Sequence, residues 1–99
     1  MRTRNKLIQQ RPNTSVNFFD ASQAFKDLKT TFVGQNKLED QGASWSDDQL
    51  TKTWTLVFTT NADYQEFKSN SSSMEFVEDM SIYNNSNLIS YSIETDEIE

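Results

Sequence analysis

Leu50-Thr-Lys-Thr-Trp-Thr-Leu-Val-Phe-Thr-Thr60 alternates with a period of two: Leu50, Trp54, Leu56 and Phe58 fall on one side, and Thr51, Thr53, Thr55, Val57 and Thr59 on the other. Alternation of this kind in β-branched and aromatic residues marks a strand with one buried face. Just upstream, Ser46-Asp47-Asp48-Gln49 gathers residues whose side chains bond their own backbone, which reads as a turn. Gly42-Ala43-Ser44-Trp45 has extended character before it, so a hairpin is predicted at the centre of the chain.

On both sides of the hairpin the period becomes helical. Asp20 reads as an N-cap, with Gln23 completing a capping box and Phe19 placed to staple onto Ala24. Ala21, Ala24, Phe25, Leu28 and Phe32 then recur on one face, with Lys26, Asp27 and Lys29 on the other, up to Gly34 as a C-cap. Downstream, Thr60 and Asp63 form a second capping signature ahead of Tyr64, Phe67, Phe76, Val77 and Met80. The run Ser69-Asn70-Ser71-Ser72-Ser73 competes for backbone hydrogen bonds and predicts a break into two helical pieces. Asn84 to Asn87 turns the chain, and Ile89, Tyr91 and Ile93 alternate in a last strand. At the other end, Leu7-Ile8 and Val16 to Phe19 have β character on either side of Arg11-Pro12-Asn13-Thr14. Pro12 lacks a backbone donor, so this segment is expected at a sheet edge or outside the sheet. The order strand, helix, hairpin, helix, strand predicts an α+β ferredoxin-like sandwich, an antiparallel sheet with two helices on one face.

Charge divides the chain unevenly. Residues 1–19 hold Arg2, Arg4, Lys6 and Arg11 and no acid, while the remaining eighty hold five lysines and all fifteen acids, giving the net charge of −6. The expected organisation is a basic extended arm at 1–14, a folded domain at 15–94 and an acidic tail at 95–99. Arg2, Arg4, Lys6 and Arg11 are the candidate partner-binding residues, clipping onto acids such as Glu94, Asp96, Glu97 or Glu99 of a neighbouring copy. On that reading, removal of residues 1–14 weakens assembly and leaves the body folded. Ninety-nine residues support one domain with a thin core, and with no cysteine a disulfide is impossible, so a homo-oligomer is the expected supplement. The acidic body opposes nucleic acid, no stretch approaches the roughly 20 apolar residues of a membrane span, and no apolar stretch of a signal peptide follows the basic N-terminus. A soluble protein of a cytoplasm is expected.

There is no histidine and no cysteine. Ser-His-Asp and Cys-His catalysis, His or Cys metal sites and imidazole proton transfer are therefore excluded within one subunit. Gly34 and Gly42 are the only glycines, too few for a phosphate-cradling loop or dinucleotide fingerprint. Asp47-Asp48 lacks metal-loop spacing, and no cofactor is expected. Trp54, Tyr64 and Tyr91 are the candidate lining of a ligand pocket between sheet and helices, but aromatic residues at these spacings are more often core, and core is the expected reading.

Trp54-Thr-Leu-Val-Phe58, followed by Asp63-Tyr-Gln-Glu-Phe67 and Leu88-Ile-Ser-Tyr-Ser-Ile93, resembles the dimeric α+β-barrel proteins related to antibiotic-biosynthesis monooxygenases. The resemblance covers about two-thirds of the chain and implies paired ferredoxin-like subunits, with a ligand-binding or cofactor-free monooxygenase-like activity as one expectation. That family often carries a histidine on the helix after the third strand. Glu66-Phe67-Lys68-Ser69 has none, so the architecture carries over and no catalytic residue does. Gln10-Arg11-Pro12-Asn13-Thr14-Ser15-Val16-Asn17-Phe18-Phe19 resembles a segment of small proteins of marine T4-like bacteriophages, including cyanophages. It implies a non-enzymatic structural or accessory role through contacts with itself and other phage proteins, in the host cytoplasm or the virion.

Overall fold

The predicted central strand is β3, Thr51–Phe58, the second arm of a hairpin whose first arm is β2, Leu38–Trp45. A computed structural model describes all 99 residues, from Met1 to Glu99. The remaining elements are β1 (Arg2–Gln10), α1 (Gln23–Gly34), α2 (Asn61–Ser69), α3 (Ser71–Ser86) and β4 (Ser90–Ile98). The four strands form one antiparallel sheet in the order β2-β3-β1-β4, the arrangement of a ferredoxin-like α+β sandwich. Helix side chains meet one sheet face, as in the packing of Phe67 on Phe58, the Asn84–Gln9 hydrogen bond and the Lys29–Asp40 ion pair.

The basic segment is the main departure from expectation. Arg2–Gln10 is neither an arm nor an edge: it is the interior strand β1, paired with β3 on one side and β4 on the other. Pro12 lies just beyond the strand, where its missing donor removes no ladder bond. Val16 to Phe19 form no strand; they belong to the connection into α1. The acidic tail is likewise absorbed, because β4 continues through Glu94 and Asp96 to Ile98. Attraction between the two segments is realised within the chain. Arg4 faces Asp96 in a bidentate pair at 2.6 and 3.1 Å, and Lys6 stands opposite Glu94 in the register. The guanidinium bond holds Asp96 below the usual carboxylate range.

Helix ends also differ in detail. Ser22 caps α1 through its Oγ, which accepts from the Phe25 N–H at 3.3 Å, while Asp20 pairs with Lys26 at 3.2 Å. The Phe19 ring packs on Phe76 and Tyr83 and not on Ala24. α1 ends in a Schellman arrangement in which Lys37 N–H donates to Phe32 C=O and Asn36 N–H to Val33 C=O. The left-handed residue there is Asn36 at φ 59°, and not Gly34, because asparagine tolerates that region better than most side chains. The predicted serine-run break is real. Asn70 ends α2 in extended conformation and its side chain caps α3 by accepting from Ser72 N–H at 2.9 Å, so three helices cover the sheet.

The core is one cluster of Phe25, Phe32, Leu38, Leu56, Phe58 and Phe67. Phe58 is wholly buried, with ring centroids 5.3 Å from Tyr64 and 5.2 Å from Phe67. Thirteen residues in all are buried, few enough that the space between sheet and helices is not filled by side chains along its whole length.

Candidate ligand-binding cleft

Where the helix layer stands away from the sheet there is a cavity of about 690 Å³. Leu7, Trp54, Leu56 and Ile93 form its sheet side, and Phe19, Phe25, Tyr64, Met74, Phe76 and Val77 its helix side. Thirteen of its twenty-two lining residues are hydrophobic, which makes the interior apolar.

A bulge in β2 orders one wall. The register between β2 and β3 shifts between Asp40 and Gly42, and Gly42 takes φ 74°, a conformation that favours glycine over residues with a Cβ. The shift lets the Asp40 carboxylate serve three groups: Oδ1 accepts from Trp54 Nε1 at 2.9 Å and from Gly42 N–H at 2.9 Å, and Oδ2 pairs with Lys29 Nζ at 3.3 Å. Lys29 Nζ in turn lies 4.3 Å from the centre of the Trp54 ring, a cation–π contact. Asp40 therefore fixes both the indole and the ammonium at the rim.

Charge in the cleft runs against that of the chain. Four lysines line it, Lys26, Lys29, Lys52 and Lys68, against one acid, Asp20. Lys26 is paired with Asp20 and Lys29 with Asp40. Lys52 is half-buried on the inner face of β3 and makes no ion pair or side-chain hydrogen bond within the chain. Its Nζ lies 5.3 Å from Trp45, 5.4 Å from Trp54 and 5.7 Å from Phe18. Burial pushes its ammonium below the ordinary lysine range, Asp20 acts the other way, and Lys29 and Arg11 add repulsion.

Beside it is a polar patch. Gln9 stands opposite Lys52 in the β1·β3 register and its Oε1 accepts from Asn84 Nδ2 at 3.0 Å in a buried pair. The Ser73 hydroxyl, on the cavity wall and 5% exposed, makes no hydrogen bond within the chain.

Of the residues singled out in the sequence, Trp54 and Tyr64 come together at this cavity, and the Tyr64 hydroxyl lies 3.4 Å from Thr95 Oγ1. Tyr91 does not join them. It stands opposite Gln9 near the start of the edge strand, beside Ile8, Gln10 and Thr51. Three of the four basic residues are hydrogen-bonded within the chain: Arg2 donates to the Glu99 carbonyl, Arg4 to Asp96, and Arg11 to the Gln49 and Val16 carbonyls; Lys6 stands opposite Glu94 in the register without an ion pair. Asp48 is a turn residue; its carboxylate accepts from Ser46 Oγ and Leu50 N–H, and these bonds hold it below the usual range. Lys29, Asp40 and Lys52 were not singled out from the sequence. The available signal was the parity of Lys52, which shares the inward side of β3 with Trp54, Leu56 and Phe58.

No helix is long and apolar enough to cross a membrane. No family model matches the chain, and no curated protein matches it. The fold is similar to that of Rv0793 from Mycobacterium tuberculosis, with a TM-score of 0.53 and 8% sequence identity over 98% of this chain and 95% of that one, a likeness of fold alone.

Proposed function

We propose that the protein binds a small, largely apolar ligand in the cleft between its sheet and its helices. The cavity carries the reading: about 690 Å³ of mostly hydrophobic interior, with Trp54 and the lysines at fixed places on its border. Pockets of about 300–1,000 Å³ with few convergent polar groups are characteristic of small-molecule sites. With neither His nor Cys in the sequence, the cleft holds no group that is an ordinary proton carrier near neutral pH, and binding without chemistry is the function proposed. The uncharged fluorophore phenylnaphthylamine tests it. Its emission is expected to rise on titration with protein, with energy transfer from Trp54. Val77→Trp, which adds bulk at a cavity-lining position that is 42% exposed, is expected to weaken binding by about tenfold or more. No binding by the unmodified protein, or equal binding by the variant, would sink the proposal.

A second reading, self-association, is supported by the other face of the sheet. The inward residues of the sheet meet the helices, whereas Thr51, Thr53, Thr55 and Ile8 stand half-buried on the face that no helix covers; Val57 is already buried within the chain. Pairing of two such faces would build the dimeric α+β barrel, and a phage accessory role implied by residues 10–19 would act through the same surface. Sedimentation at micromolar concentration is expected to give a dimer or larger closed oligomer; a monomer throughout that range removes this reading.

A further inference from the structure

Lys52 is an unusual residue to find on the inner face of a central strand. Its neighbours across the sheet are Trp45 on β2 and Gln9 on β1, and the same side of β3 continues into Trp54, Leu56 and Phe58. Taking an ammonium partly out of water is unfavourable unless something replaces the lost hydration. Rings do so in part, since Trp45, Trp54 and Phe18 surround the Nζ, but an aromatic face leaves the three N–H donors of an ammonium without a strong acceptor. No carboxylate of the chain reaches Lys52: Asp40 is committed to Lys29, Trp54 and Gly42, and Asp20 is turned to Lys26 with its side chain 86% exposed. Two further cations, Lys29 and Arg11, repel the Lys52 charge. The arrangement is complementary to an anion arriving from the cavity side.

We infer that the ligand of this cleft is an aromatic or otherwise apolar acid, whose carboxylate or equivalent oxyanion seats on Lys52 Nζ while its apolar body lies along Leu7, Trp54 and Phe25. The inference rests on the proposed function and adds the chemical class of the ligand. Lys29 shares the anion from the Trp54 side, held there by Asp40. Asp20 is the one lining acid that opposes an anion, and its exposure to water together with its pairing to Lys26 screens it.

The experiment compares two probes of nearly the same shape, neutral phenylnaphthylamine and anionic anilinonaphthalene sulfonate, on the full chain. Lys52→Met keeps the aliphatic stem and removes the charge. It is expected to weaken the sulfonate by about tenfold or more, the usual consequence of losing a charge-assisted bond, and to weaken it by about tenfold more than it does the neutral probe. Lys52→Arg is expected to retain sulfonate binding. On the unmodified protein, added salt is expected to weaken the sulfonate and not the neutral probe, a contrast that needs no variant to fold. If the neutral probe binds while sulfonate affinity is indifferent to Lys52 and to salt, the acid-binding inference is wrong and the cleft remains a site for neutral ligands. Failure of both probes to bind removes the cleft reading together with the inference.

Discussion

A chain that begins at Ser15 is expected not to fold. The deletion removes β1, which pairs with β3 from Thr3–Phe58 to Gln10–Thr51 and with β4 from Arg2–Ile98 to Gln10–Ser90. β4 has no other neighbour in the sheet and would be released, while β3 would become an edge with its ladder groups unpaired. Thr3 and Gln9, both buried against the helix layer, would go with it, and so would the acceptor for Asn84. A domain of this size has about 5–15 kcal/mol of stability at most, less than the loss of a central strand removes. Circular dichroism and amide dispersion in NMR spectra read the outcome: spectra of a disordered chain are expected, and a cooperatively melting truncated protein would contradict the interior placement of β1. This is the reverse of what the charge pattern suggests, since a detachable basic arm would leave a folded body behind.

Phe58→Ala is expected to cost about 3–5 kcal/mol. Phe58 is fully buried at the end of β3, and its ring meets Phe67 and Tyr64. Against a total of about 5–15 kcal/mol, that is between about a fifth and the whole of the stability. Urea titration checks this, with Val33→Ala as a control: that side chain is 45% exposed on α1, and a shift within about 0.5 kcal/mol is expected for it. A Phe58→Ala loss no larger than the control's would mean that the aromatic cluster does not hold sheet and helices together.

The alternation in β3 and the periodicity of α1 were legible because apolar residues carry them. β1 was not, for a physical reason: its inward positions are Thr3, Asn5, Leu7 and Gln9, so the buried side of the strand is mostly polar. Those groups are satisfied from distant parts of the chain, Thr3 by Glu97, Asn5 by Thr95 and Gln9 by Asn84. A hydrophobic period cannot announce a strand whose inner face is matched by hydrogen bonds. The cleft was half legible in the same way. Trp54 and Tyr64 stood out as large rings, but Lys26 and Lys29 had been placed on the solvent side of α1, where helical spacing puts charge. The structure sets both on the cavity because the helix layer stands off the sheet there. The Ser22 cap and the left-handed Asn36 are choices among several polar residues at each helix end, which sequence spacing ranks only loosely.

The polar inner face of β1 also governs the order in which the molecule is assembled. Its partners Thr95 and Glu97 lie 90 and 94 residues away along the chain. The hairpin of β2 and β3 closes locally and early, but β1 must enter between β3 and β4, a strand that follows every other element in the chain order. Closing so long a loop is entropically costly and slow relative to local contacts. Until residues 90–98 arrive, Asn5 lacks its Thr95 acceptor and Thr3 its Glu97 acceptor, so a half-made chain holds β1 by its β3 ladder alone, with one strand edge and part of its inner face unmatched. Completion of the sheet therefore waits for residues 90–98, and a stop within β4 would leave the first strand unsettled as well.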